Sequence, residues 1–234
     1  MITKEFELCT MNVDCFDHLT IESILDMTAT SAGRDANQYH AGFNDFYEAG
    51  CYWVLAKVRF NVLSFPNPES KIAITTWPRK TDRNLVAYRD FIIKDEAGHI
   101  IIKGQSVWCV IDINNRKICR FPALLNRMPT QEDAVIDEPW GRIPDPVNPT
   151  VVQHTVKFCD CDHNGHMNNA QYARAIWNAL ALKDEVVKSF YIQFEHECHL
   201  GDTLTLEIEK DDHHYIIYGK DGDQVAIKAE LYTQ

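Results

Sequence analysis

The sequence has no apolar run approaching the ~20 residues that a helix needs to cross a bilayer, so no membrane span is expected. Basic residues are scarce: 23 Lys and Arg against 34 Asp and Glu leave a formal charge of 23 − 34 = −11. A chain of that sign lacks the cationic footprint of a general nucleic-acid binder, although a local basic patch can act against the overall sign. There is no GxSxG elbow, no GK[ST] phosphate loop and no GxGxxG turn, so serine hydrolase, P-loop and dinucleotide readings lack their motifs. Eight cysteines are present, but none falls in a CxxC pair, and Cys159-Asp160-Cys161 has the wrong offset for a redox or zinc site. Met1-Ile2-Thr3-Lys4-Glu5-Phe6-Glu7-Leu8 alternates like a strand and carries no export signal. The cysteines therefore read as reduced, most of them as small buried hydrophobes, and the protein as soluble and cytoplasmic.

What is present is ordinary globular composition, 45% hydrophobic and 24% charged over 234 residues. Thr20 to Gln38 reads as a helix, with Thr20 as N-cap, Glu22 in the first turn and Ile21, Ile24, Leu25 and Thr28 on one face. A short aromatic segment, Gly42 to Gly50, precedes a run of strands. Between Tyr52 and Phe65 an odd set (Trp53, Leu55, Lys57, Arg59, Asn61) alternates with an even, strongly apolar set (Val54, Ala56, Val58, Phe60, Val62). Lys71–Trp77, Leu85–Lys94 and Ile100–Ile113 follow, separated by turn residues. Prolines 129, 139, 144, 146 and 149 break any regular element, which marks residues 129–149 as a linker. The order then repeats: strand Val151–Phe158, helix Asn168–Lys183, and strands Lys188–Glu197, Thr203–Glu209, Tyr215–Gly219 and Val225–Leu231. The pattern predicts an α+β protein duplicated internally, with units over 1–128 and 150–234, each a curled antiparallel sheet around one helix.

The densest chemistry lies just before the second helix. Asp162, Asn164 and His166 are spaced by two, so an extended approach projects all three to one side. Asn168 or Asn169 caps the helix, and the N–H groups of its first turn could hold a carbonyl oxygen there. A carboxylate, an amide and an imidazole beside such donors suit water-activated acyl transfer. The plainer alternative is an Asx turn leading into a helix. A fourth group lies in Phe194-Glu195-His196-Glu197-Cys198-His199, where strict alternation turns Cys198 inward and Glu197 outward unless a bulge intervenes. His163, His166, Glu197 and His199 also suggest a metal set, but without the spacing of a known zinc module, and neither metal nor cofactor is expected.

Asp162-x-Asn164-x-His166-x-Asn168-Asn169-x-x-Tyr172, with Trp177 in the same helix and Glu197-Cys198 further on, resembles the signature of the acyl-ACP thioesterase family. Tyr52-Trp53-Val54, Thr76-Trp77-Pro78-Arg79, Arg89-Asp90-Phe91, Ser106-Val107-Trp108, Arg116-Lys117 and Phe121-Pro122 match in order, so the likeness covers nearly the whole chain. The resemblance implies a tandem double hot-dog fold and release of fatty acid from acyl carrier protein without a cofactor. It carries catalytic roles onto Asp162, Asn164, His166 and Glu197, with Cys198 as an accessory. Either Glu197 or Asp162 could activate water, and direct attack by Asp162 is a variant. The first unit is expected to shape the acyl pocket, with Trp53, Phe60 and Trp108 as wall residues, although strand aromatics are more often core. The acidic carrier needs a cationic landing strip, for which Arg79, Lys80 and Arg83 are the candidates, with Arg116, Lys117 and Arg120 second. An acyl-CoA thioesterase, a hot-dog hydratase or dehydratase, and a non-catalytic acyl-binding module stay open as alternatives, as does assembly into a homodimer. Finally, a shift of 162 − 14 = 148 places Asp14 on Asp162 and His18 on His166, with Phe16 on Asn164. Coincidence is the default reading of that match.

Overall fold

The computed structural model describes residues 1–80, 86–119 and 126–234. Their contacts divide them into two compact units, Met1–Cys9 with Asp26–Glu138, and Thr10–Leu25 with Pro139–Gln234.

The first unit holds β1 (Ile2–Glu7), most of α1 (Ile21–Gln38), α2 (Phe43–Glu48), β2 (Cys51–Val62), β3 (Lys71–Arg79), β4 (Ala87–Lys94) and β5 (Ile100–Asp112). Its strands lie in the order β1-β3-β4-β5-β2, all neighbours antiparallel. The simple alternation expected along β2 is broken by a bulge: Leu55 pairs with Trp108 and Lys57 with Val107, leaving Ala56 as the extra residue. The inward set therefore switches from odd to even, and Leu55, Val58, Phe60 and Val62 are all buried. Phe60 packs on Phe91 with ring centroids 6.1 Å apart. Its ring lies so close over β5 that a Cβ on Gly104 would come within 2.3 Å of it. That close approach requires glycine.

A polar network runs through the same interior. Arg89 donates to the Asp35 carboxylate at 2.8 Å, both side chains being buried. Asp90, fully buried, accepts from the Val135 amide at 3.0 Å. Burial pushes its carboxyl up to about 6, against that hydrogen bond and the Arg79 and Arg59 charges.

The proline-rich stretch has no regular element, yet it is not slack. Arg59 donates to the Glu138 carbonyl at 2.6 Å and Gln105 to that of Ile136 at 3.0 Å, fastening one end to the first unit. The other end belongs to the second unit, where Ile143 is buried among Tyr191, Ile216 and Tyr218.

The second unit contains β6 (Thr150–Thr155), α3 (Asn169–Leu180), β7 (Val187–Phe194), β8 (Thr203–Asp211), β9 (His214–Asp221) and β10 (Gln224–Thr233). The order β7-β10-β9-β8-β6 is again antiparallel throughout. Asp221-Gly222 turns the last hairpin, with Gly222 at φ 56°. Ala170, Tyr172, Ala173, Ile176 and Trp177 bury the apolar face of α3. Each unit is a hot-dog, so the double hot-dog fold expected from sequence is the one observed. One assignment differs. The sequence reading gives all of 1–128 to the first unit, whereas Thr10–Leu25 clusters with the second. Three side-chain contacts to α3 account for it: Asp14 to Trp177, and Glu22 to both Gln171 and Arg174. Among the described residues, no helix is long and apolar enough to cross a membrane.

Candidate active site

Asp162, Asn164 and His166 do not lie on an extended strand. Residues 162–165 form a tight turn in which the Gly165 amide donates to the Asp162 carbonyl at 3.0 Å. Gly165 sits at φ 79°, a conformation that costs glycine little. Oδ1 of Asp162 accepts from the Asn164 amide at 2.8 Å and from the His166 amide at 3.4 Å, while the Asp162 amide donates to the His166 carbonyl at 2.8 Å. The Asx turn is thus real, and the catalytic candidates are built on it rather than excluded by it. Asn164 stands exposed at the tip, with Nδ2 3.5 Å from Asp162 Oδ2. His166 is half-buried.

The helix start is less open than the spacing suggests. The Asn168 side chain caps Ala170 N–H at 2.8 Å, and its carbonyl takes the amides of Gln171 and Tyr172. Among the described residues, the Asn169 N–H at the helix start has no hydrogen-bond partner.

Glu197 reaches the site because β7 stops early. The strand ends at Phe194, and Glu195 to Cys198 run as irregular chain. Freed from alternation, the Glu197 carboxylate comes to 3.3 Å from Nε2 of His166. The condition posed by sequence, a local break in the alternation, is met where β7 ends: the Glu195 and His196 amides both donate to the Ala226 carbonyl, at 2.8 and 3.2 Å, a bulge-type pairing of two residues against one. Cys198 is fully buried, and burial pushes its thiol above the ordinary range. Its use is in its main chain: its amide donates to the Tyr172 hydroxyl at 2.8 Å, and its carbonyl accepts from Met167 at 2.8 Å. These bonds tie the Glu197 segment to both the turn and α3. His199 completes the cluster, bridged in an antiparallel pair to His166 with the two rings edge-on and centroids 5.0 Å apart. Sequence reasoning weighs His199 only as a metal ligand and misses the tie through Tyr172, because only the fold brings them to the turn. Among the described residues no group of three or more His, Cys, Asp or Glu side chains is arranged to hold a metal ion.

Outside the site, Phe60 is core, while Trp53 donates to the Ala41 carbonyl at 3.2 Å and meets Trp108 edge-on at 6.4 Å. Of the basic strip, Arg79 lies 3.9 Å from Asp90 with its guanidinium over the Tyr88 ring, and Lys80 pairs with Glu132 at 3.0 Å. Arg83 and Arg120 lie outside the described residues.

Comparison with known proteins follows the same two-part division. Residues 1–125 match the family model of the acyl-ACP thioesterase N-terminal domain, and residues 145–231 that of the C-terminal domain. The chloroplastic acyl-[acyl-carrier-protein] hydrolase FATB2 of Cuphea viscosissima is 26% identical over 194 residues, covering 76% of this chain and 47% of the relative. The chloroplastic palmitoyl-acyl carrier protein thioesterase of Cuphea hookeriana is 24% identical, with 76% and 46% covered. The chain thus spans about half the length of these curated relatives. Among solved structures, an acyl-ACP thioesterase from Bacteroides thetaiotaomicron superposes with a TM-score of 0.90 at 23% identity, covering 100% of this chain and 97% of that one. The 12:0-ACP thioesterase from Umbellularia californica gives 0.86 at 16%, with 100% and 96% covered, which shows a shared fold. With both domain models matched in order on a double hot-dog that carries the Asp162–His166 turn in its second half, the chain belongs to the acyl-ACP thioesterase family.

Proposed function

We propose that this chain is a soluble, cytoplasmic enzyme that hydrolyses the thioester bond of fatty acyl–acyl carrier protein, releasing free fatty acid and the carrier thiol. The observation that carries the reading is the 3.3 Å approach of Glu197 to His166, two side chains delivered by separate segments to one turn. Glu197 serves as general base: it takes a proton from a water held against His166, and the water oxygen bonds to the thioester carbonyl carbon. The carbonyl oxygen gains charge and is met by N–H donors, for which the exposed Asn164 amide and the Asn169 main chain are suited. Collapse of the tetrahedral species breaks the carbon–sulfur bond, and the thiolate takes up the proton. Asp162 holds the turn, because Oδ1 already accepts two main-chain N–H groups. Trp53 and Trp108, half-buried and in contact, are proposed to wall the acyl chain, whereas Phe60 is core, packed on Phe91.

Thiol release from acyl carrier protein substrates of graded chain length, set against the matching acyl-CoA series, tests the reading. We expect turnover on the carrier-protein series, with Glu197→Gln and His166→Ala each lowering kcat by about 10²–10⁴. Near-normal turnover in Glu197→Gln would overturn the base assignment. In oxygen-18 water, label recovered in the Asp162 carboxylate would establish direct attack instead. Enoyl-thioester hydration, or binding without thiol release, would replace hydrolysis with another hot-dog activity.

A further inference from the structure

The 148-residue offset is more than a coincidence of two letters. The main-chain contacts within the Asp162 turn recur, shifted by 148, at Asp14. The Asp14 amide donates to the His18 carbonyl at 2.9 Å, as Asp162 does to His166 at 2.8 Å. Asp17 donates to the Asp14 carbonyl at 3.1 Å, as Gly165 does to Asp162 at 3.0 Å. Oδ1 of Asp14 accepts from the Phe16 and His18 amides at 2.9 and 3.0 Å, the counterparts of the Asn164 and His166 amides. Val13 bridges Leu19 as Cys161 bridges Met167. Thr20, the cap of α1, donates to the Asn12 carbonyl at 3.0 Å, and Asn168, the cap of α3, to that of Asp160 at 2.8 Å. The fourth turn position is left-handed in both, Asp17 at φ 64° and Gly165 at φ 79°, and aspartate tolerates that region better than most residues.

The two turns differ in where their side chains are spent. Phe16 replaces the amide of Asn164. Oδ2 of Asp14 accepts from the Trp177 indole N–H at 3.2 Å and lies 3.6 Å from His18 Nδ1. Trp177 is on α3, and the same α3 face is held twice more, by Glu22 on Gln171 at 3.0 Å and on Arg174 at 3.5 Å. Gln171, Arg174 and Trp177 follow at intervals of three, so the contacts run along the length of the helix. The other side of α3 carries Tyr172, which receives the Cys198 amide beside Glu197. We propose that the Asp14 turn is a non-catalytic copy of the site turn that fixes the position of α3, making Asp14 and Trp177 positioning residues for the Glu197–His166 pair.

This inference rests on the hydrolase reading above, and its test separates the two. In the full-length chain, kcat, KM and the pH profile of kcat/KM are measured on an acyl carrier protein substrate for Asp14→Ala, Asp14→Asn, Trp177→Phe and the Asp14→Ala/Trp177→Phe double variant. Each is assayed below its own melting transition, with circular dichroism confirming the fold. Trp177→Phe leaves the turn intact, so it reports even if Asp14→Ala misfolds. Asp14→Ala and Trp177→Phe should each lower kcat about tenfold, move the pH profile and leave KM within about twofold, as expected of a small misplacement of catalytic groups. The double variant should lose no more than Asp14→Ala alone, because the contact that Trp177→Phe removes is already gone. Asp14→Asn keeps one oxygen to cap the Phe16 and His18 amides and sets its amide N–H₂ against the Trp177 N–H, so it should preserve the turn and lose kcat as Trp177→Phe does. Trp177→Phe at wild-type kcat, losses that multiply, or a change confined to KM would overturn the inference while Glu197→Gln still defines the active site. Wild-type protein that releases no thiol would overturn the hydrolase reading, and the positioning role with it.

Discussion

Replacing Tyr172 with phenylalanine removes one oxygen atom from the buried side of α3. The ring keeps its shape and its edge-on contact with Phe194 at 5.9 Å, so no cavity opens. What is lost is the acceptor 2.8 Å from the Cys198 amide, in a residue wholly withdrawn from solvent. An N–H group orphaned in that way costs about 1–3 kcal/mol. Burial also pushes the Tyr172 phenol far above its ordinary range, so the group is neutral at any working pH and the loss should not depend on pH. For a chain of this size each kcal/mol lowers the melting temperature by roughly 2–4 °C. The catalytic effect should exceed the stability effect. Glu197 directly precedes Cys198, and a shift of ~1 Å in a positioned group can cost about 10² in rate. Scanning calorimetry with thiol-release kinetics at a temperature where both proteins are folded measures the two together. A variant that melts within about 1 °C of wild type and turns over within about twofold would refute the claim that Tyr172 holds the Glu197 segment in place.

Asp90→Asn tests the buried carboxylate of the first unit. Its folded value of about 6 lies above the ordinary 3.8, so the native state binds the proton more tightly than the unfolded chain. The stabilisation is present below about pH 4 and is lost as pH rises to about 6, falling by about 1.4 kcal/mol for each pH unit in that window. The stability of Asp90→Asn relative to wild type should therefore improve by up to about 3 kcal/mol between pH 4 and pH 7 in urea unfolding, and a pH-independent difference would contradict the assignment. Charge reversal at Arg79, Lys80 and Arg83 tests the proposed landing strip: KM for the carrier-protein substrate should rise and lose part of its salt dependence, with KM for the acyl-CoA unchanged. Equal KM values before and after would move the carrier contact elsewhere.

Much of this architecture is legible in local periodicity. α1 begins after Thr20 as its capping pattern requires, and strands β2 to β5 and β6 to β10 fall within a few residues of their apolar alternation. Alternation has no means of marking an inserted residue, so it does not encode the bulge at Ala56 or the switch of the buried set from Leu55 to Val58. The same limit applies at Glu197, which spacing turns outward until the end of β7 at Phe194 releases it. At Asp162 the residue types were informative and their conformation was not. A two-residue spacing fits a strand and a tight turn equally, and only the φ of Gly165 separates them. At Asp14 the sequence shows only the two-letter match to Asp162 and His166, too little to mark a repeat. The shared backbone geometry is kept by residues of different identity: Asn12 against Asp160, Leu19 against Met167, Thr20 against Asn168. The allocation of Thr10–Leu25 rests on contacts with residues more than a hundred positions away, which no local pattern encodes.

That allocation bears on the order in which the chain can be made and cut. A ribosome delivers Asp14 and Glu22 long before α3 exists, so two of the anchors of the second unit emerge first and wait through the synthesis of the whole first unit. A fragment beginning at Pro139 has every strand of the second unit, yet it presents Gln171, Arg174 and the Trp177 indole with nothing to receive them. The two halves are therefore poor candidates for separation at the proline-rich stretch. A permuted gene that joins residues 10–25 directly to the second half is the version of that fragment that stands to fold alone.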